Sequence, residues 1–160
     1  MKPTSLHELK KELINLPSKQ VLELCMRLAK HKKENKELLS YLLFEAHDEQ
    51  AFIAEIKAQV DEQFGELNTS HVYLAKKTLR KVLRTVNKYI RFSGSDKTAV
   101  ESLIYFCGKL KTSGLPLTRN TVLGNMYEQQ LKKINISLAK MHEDLQYDYH
   151  QMLEEIALMN

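Results

Sequence analysis

Apolar residues in this 160-residue chain return at three- and four-residue steps almost from end to end, and only five Gly and three Pro interrupt them. Spacing of that kind lines one side of a helix with apolar side chains, and few breakers let each helix run long. The chain therefore reads as an all-α fold of six to eight helices. These pack as antiparallel pairs, in a bundle or a short solenoid-like stack, and form one domain over residues 1–160. Within it, residues 1–66 read as short helix pairs, 69–114 as a basic helix and its successor, and 118–160 as a long C-terminal helical segment.

The stripe Leu6, Leu9, Leu13, Leu16 predicts a first helix behind Thr4 or Ser5, ended by Pro17. Ser18 is placed to cap a second helix whose buried face is Val21, Leu24, Cys25 and Leu28. Leu38, Leu39, Tyr41, Leu42, Leu43 and Phe44 are apolar almost all round and make the third helix the expected centre of the core. Asp48 precedes a fourth helix carrying Phe52, Ile53, Ile56, Val60 and Phe64, with Gly65 as its stop. Thr69 or Ser70 opens a fifth, striped by Val72, Leu79, Leu83, Val86 and Ile90 and running to about Phe92, where no two-residue alternation supports a strand. Ser95 then caps a sixth, with Val100, Leu103, Ile104, Phe106, Cys107 and Leu110 inward and an end near 112–114.

Beyond Thr118 the only breaker is Gly124. Tyr127, Leu131, Ile134, Leu138, Met141, Leu145, Tyr149, Met152, Ile156 and Met159 form a heptad seam with one four-residue stutter near Tyr149. A straight helix across this seam measures about 50 Å, longer than the roughly 40 Å diameter of a compact domain of this size. It must break, at Asn135–Ser137 or at Gly124–Asn125, or continue and pair with a second copy through Leu138, Met141, Leu145, Tyr149, Met152 and Ile156. Both readings are open at this level.

The formal net charge of +4 hides a segregation: residues 1–44 carry +4, 45–66 carry −6, 67–127 carry +9, 128–140 carry +2 and 141–160 carry −5. The centre of the basic block is AKKTLRKVLRTVNKYIR, residues 75–91, with seven cations and no acid. On a helix Lys76, Lys77, Arg80, Lys81, Arg84, Lys88 and Arg91 fall within an arc of about 140°, opposite the apolar stripe, and Tyr73 lies on the same arc. Like charges at i and i+4 repel by a few tenths of a kcal/mol, so this face calls for nearby anions. Glu55, Asp61, Glu62 and Glu66 of the fourth helix could supply them, as could Glu143, Asp144, Asp148, Glu154 and Glu155. An acidic protein surface, a second copy or a phosphate backbone are the other sources, and the arginines suit bidentate contacts.

Nothing supports an enzyme. There is no Gly-rich phosphate loop, nucleophile elbow, C-x-x-C or H-E-x-x-H, and no Glu-x-x-His for a helical di-iron site. Glu45, His47, Asp48 and Glu49 cluster in sequence but point in different directions along a helix or its cap. No catalytic, cofactor-binding or metal-ligating residue is therefore assigned, and the chain reads as an interaction module with a cationic face for an acidic partner, or alternatively for nucleic acid. Cys25 and Cys107, among Leu24, Met26 and Phe106, read as free, inert, buried thiols. No apolar run approaches a membrane span and the start lacks a signal-peptide core, so the expectation is a cytoplasmic protein without membrane contact.

LKKELINLPSKQVLELCMRLAKHKKENKELLSYLLFE, residues 9–45, combines a Leu-rich helix, a short break, a Ser-Lys helix start and a KENKELL opening. This cadence resembles an uncharacterised family of small all-helical bacterial proteins, mainly from Bacteroidetes, described as a domain of unknown function. The resemblance implies a bacterial, cytoplasmic protein built of helix pairs and carries no functional residue. Leu9, Lys10 and Leu13 also resemble a SAP-type DNA-binding helix pair, with Asn15, Leu16 and Pro17 where that motif has its glycine-containing bend.

Overall fold

The computed structural model describes residues 3–159. Its elements are α1 (Leu6–Ile14), α2 (Ser18–His31), α3 (Lys33–Ser40), a π-helical turn (Tyr41–Glu45), α4 (Glu49–Gly65), α5 (Val72–Ser93), α6 (Asp96–Lys111), α7 (Val122–Leu138) and α8 (Glu143–Leu158). Among the described residues there is no strand, and the fold is all-α as the periodicity predicts. Local chemistry accounts for most boundaries. Ser5 and Glu8 form a reciprocal capping box, Asp48 accepts from the Ala51 amide at 2.9 Å, and Ser95 accepts from the Thr98 amide at 3.4 Å. Gly94 closes α5 in the left-handed region at φ 63°. Two expected caps are displaced. Pro17 occupies the cap position with Ser18 already helical, and α5 starts at Val72 behind His71, without a side-chain cap.

The chain divides into two compact units, Met1–Phe44 and Glu45–Asn160, so the boundary falls inside the block read as 1–66. In the smaller unit α2 packs on α3, and the two are joined through Lys32 alone. Asn35 of α3 turns back to donate to the Leu28 carbonyl at 2.8 Å, closing the end of α2. Among the described residues only Ala29 and Tyr41 are buried there. The expectation that the third helix is the centre of the core is therefore wrong: Leu42, Leu43 and Phe44 are 56, 63 and 70% exposed. A helix apolar all round needs neighbours on every side, and three short helices supply too few.

The larger unit is built around α6, which packs on α4, α5, α7 and α8. Val100, Leu103, Ile104, Phe106, Cys107 and Leu110 are buried as expected, facing Phe52, Ile53, Ile56 and Val60 of α4 and Leu79, Val82 and Val86 of α5 among the core residues. The polar pairs reveal directions. Gln59 with Tyr89 and Glu66 with Lys81 make α4 and α5 antiparallel. Lys140 with Asp96 and Lys111 over Tyr127 make α6 and α7 antiparallel. Thr98 donates to Glu49, Lys57 to Glu101 and Tyr105 to Asp61, so α4 and α6 run the same way.

The C-terminal segment is two helices, and the break lies two residues beyond the weak formers Asn135–Ser137. Lys140 and Met141 amides bond back to the Ser137 and Leu138 carbonyls at 3.1 and 2.9 Å, and His142 opens α8. The other expected break, Gly124–Asn125, lies in the first turn of α7. There Gly124 is required by space: a Cβ would stand 2.1 Å from the Thr118 carbonyl oxygen. Folding back sets Tyr149 and Ile156 against α6, with Tyr149 donating to Glu101 at 3.1 Å and Ile156 facing Gly108.

Three substitutions read out these roles. Ile53→Ala should destabilise the protein by about 2–5 kcal/mol in urea titration, as for other fully buried large-to-small changes. Phe44→Ala, in the segment read as core from sequence, should shift stability by no more than about 0.5 kcal/mol. Glu101→Ala should cost about 1–3 kcal/mol, because it leaves the half-buried Lys57 ammonium and the Tyr149 hydroxyl without their shared acceptor.

Candidate anion-binding face

Helix α5 buries Ala75, Leu79, Val82 and Val86 toward α4 and α6. Relative to the expected stripe, Leu83 and Ile90 are half-buried and Val72 is exposed, while Ala75 and Val82 move inside. Two neighbouring helices, rather than one, cover this side, which broadens the buried strip toward the small residue Ala75.

The opposite side carries the predicted cations. Lys77, Arg80, Lys81, Arg84 and Arg91 are exposed, and Lys76 and Lys88 are half-buried. Lys76 stands 5.4 Å from the Tyr73 ring centre, and Lys88 stands 4.8 Å from Tyr89 and 5.9 Å from Phe92, the arrangement of a cation over an aromatic face. Glu66 reaches Lys81 at 3.8 Å with both groups well exposed, so solvent screens the pair and it contributes little to stability. Lys88 and Arg91 are engaged by other groups. Among the described residues, Lys77, Arg80 and Arg84 have no acidic side chain within ion-pair distance.

Of the acids expected to neutralise the face, Glu66 reaches Lys81 and Asp61 is held by α6 instead. Asp61 accepts from the Tyr105 hydroxyl at 2.7 and 2.8 Å and pairs with Lys109 at 2.6 Å. The Lys109 and Tyr105 hydrogen bonds hold its carboxyl below the usual range. The acidic α8 packs on α6.

Sequence reasoning missed one contributor. Lys133 of α7, exposed, donates to Asn87 at 3.2 Å, and Asn87 lies on α5 beside the cationic arc. Asn87 in turn donates to the Leu83 carbonyl at 2.6 Å, which fixes its amide so that its oxygen faces α7. The positive surface therefore spans two helices. No sequence signal marks this, because residues 87 and 133 are distant in the chain and only packing unites them.

The residues read as a dimer seam are not one exposed stripe. Leu138, Tyr149 and Ile156 are buried, Met141 is half-buried, and Leu145 and Met152 are exposed. The seam's regularity reflects packing against α6 of the same chain once the helix folds back. Asp48 is used as a cap and Glu49 turns to Thr98, so the acidic run at 45–49 does not converge. Among the described residues no group of three His, Cys, Asp or Glu could hold a metal ion, and no helix is long and apolar enough to cross a membrane. Of the two thiols, Cys107 is buried as expected but Cys25 is exposed, a correction that follows from the thin cover of α2. No protein-family model matches this chain, and neither a curated protein nor a solved structure is found to be similar to it.

Burial pushes the Cys107 thiol up to about 12, so at pH 8 an aromatic disulfide reagent should titrate one thiol, Cys25, in the native protein and two after denaturation. Hydrogen bonds from Ser95 and then Thr98 lower the Glu49 carboxyl below its ordinary 4.5, against desolvation. A folded-state value below the unfolded one contributes stability that is present above 4.5 and lost as pH falls through the lowered value. Glu49→Gln should accordingly flatten the decline in unfolding free energy between about pH 5 and 3, measured by urea denaturation.

Proposed function

We propose that this chain is a non-enzymatic helical interaction module whose α5 presents a cationic face to an acidic protein partner. The observation that carries the proposal is the set Lys77, Arg80 and Arg84, exposed on one arc with no acid in ion-pair reach among the described residues. Arg80 and Arg84 are one helical turn apart and repel by a few tenths of a kcal/mol until an anion arrives. Their separation of about 6 Å along the axis, four residues at 1.5 Å each, matches carboxylates repeated at i and i+4 on a partner helix. Lys133 widens the target from a line to a band.

A second reading rests on Tyr73, which is 71% exposed on the same arc beside Lys76. An exposed ring flanked by cations is the arrangement that stacks an unpaired base while the charges follow the phosphates of a single strand.

Fluorescence anisotropy with labelled polyglutamate and labelled single-stranded DNA tests both. Polyglutamate should bind at low salt, weaken as salt rises, and lose at least about tenfold in affinity on Arg80→Glu/Arg84→Glu. Tighter binding of single-stranded DNA, weakened roughly five- to a hundredfold by Tyr73→Ala, selects the second reading. Absence of binding by either polyanion at low salt refutes the cationic face as a binding surface.

A further inference from the structure

The smaller unit holds a second feature that owes nothing to α5. Along α2, Leu24, Leu28, Val21, Cys25, Ala29, Leu22 and Met26 occupy an arc of about 200°, yet α3 buries only Ala29 at its middle. What remains on one side is a groove of about 320 Å³ between α2 and α3, continued by Leu43 and Phe44. Its apolar lining includes Met26, Leu39, Leu43 and Phe44, and Lys30 from α2 and Lys36 from α3 complete it from opposite walls. Both lysines are exposed, and among the described residues neither has an acid within ion-pair distance; the nearby Glu37 stands 3.8 Å from Lys33 instead. Exposed apolar residues concentrated in so short a segment exceed what a solvated helix pair tolerates without a partner.

The chemistry of the groove describes its occupant. A cleft between two packed helices takes the side-chain ridge of a third helix, read as apolar anchors at i, i+3, i+4 and i+7. The two lysines call for carboxylates flanking those anchors, one row on each side. Helix α2, with 14 residues, offers a track of about 21 Å, which accommodates about four turns of a ligand helix. A second copy is disfavoured by charge, since residues 1–44 carry +4 and self-pairing would oppose two positive units. A bilayer takes a convex apolar face, whereas these walls enclose a concave one. We infer that the groove between α2 and α3, floored by Met26, Leu39, Leu43 and Phe44 and edged by Lys30 and Lys36, docks an acidic amphipathic helix of another protein.

The test uses the full chain and a fluorescein-labelled designed helix of about five turns, with Leu at i, i+3, i+4 and i+7 and Glu on both flanks. A control peptide carries Lys in place of every Glu. The acidic peptide should bind at least about tenfold tighter than the control. Leu43→Ser/Phe44→Ser and Lys30→Glu/Lys36→Glu should each weaken it at least about tenfold, with helicity by circular dichroism unchanged. A second control peptide with Ser at the four Leu positions should bind at least about tenfold more weakly than the acidic peptide, which separates this apolar groove from the ionic face on α5. Failure of the acidic peptide to bind, or equal binding by the groove variants, overturns the inference. So does a dimer in sedimentation velocity that Leu43→Ser/Phe44→Ser dissolves, which assigns the groove to a second copy. Co-sedimentation with phosphatidylglycerol vesicles, lost in the same variant, overturns it in favour of a membrane.

Discussion

Helix α6 packs against four other helices, and polar groups taken out of water there are costly unless they are hydrogen-bonded. Helices α4 and α8 bring acceptors and donors to it. Glu49 takes the hydrogen bond of the fully buried Thr98, Lys57 and Tyr149 converge on Glu101, and Asp61 gathers Tyr105 and Lys109. These contacts follow one another along the axis and set the register of α4 and α8 against α6, a task that interchangeable apolar contacts perform poorly. Desolvation, reinforced by Glu101, raises the Tyr149 hydroxyl to about 12, so it remains a donor at any physiological pH. The apolar core supplies the driving force, and the polar contacts select one arrangement of it.

The same commitments shape the surface. Because Asp61 serves α6, one acid that could have answered α5 is occupied, and Glu66 reaches it only through an exposed contact with Lys81. Helix α5 keeps seven cations on one side, and the larger unit tolerates their repulsion because the apolar side of the helix is thoroughly buried. The face is sustained by packing on its far side, while Lys77, Arg80 and Arg84 have no acid in ion-pair reach among the described residues.

In the smaller unit the balance runs the other way. Among the described residues, three helices of 9, 14 and 8 residues and the π-helical turn after them bury Ala29 and Tyr41, while Leu22, Leu28, Leu43 and Phe44 face solvent. Isolated helices of these lengths are marginal in water, and their stability must come from apolar contact. A groove with an apolar floor and paired lysines is the form in which that missing contact is offered.

Period and capping chemistry in the chain carried most of the helix count, the caps at Ser5, Asp48 and Ser95, the inward face of α4 and α6, and the seven-cation arc, because each depends on residues within a few positions of one another. Apolar character alone did not distinguish a helix at the centre of the core from one that exposes the same residues, as Leu42, Leu43 and Phe44 demonstrate against Phe106 and Leu110. Nor did it distinguish a seam between two chains from one folded against α6, as Tyr149 and Ile156 demonstrate. Which anions reach α5, and that Lys133 joins it through Asn87, follow from contacts between segments far apart in the chain. Local sequence thus determined where each helix lies and which side is charged. Tertiary structure alone decided which apolar sides are covered and which charges are answered, since burial and ion pairing are properties of neighbours in space.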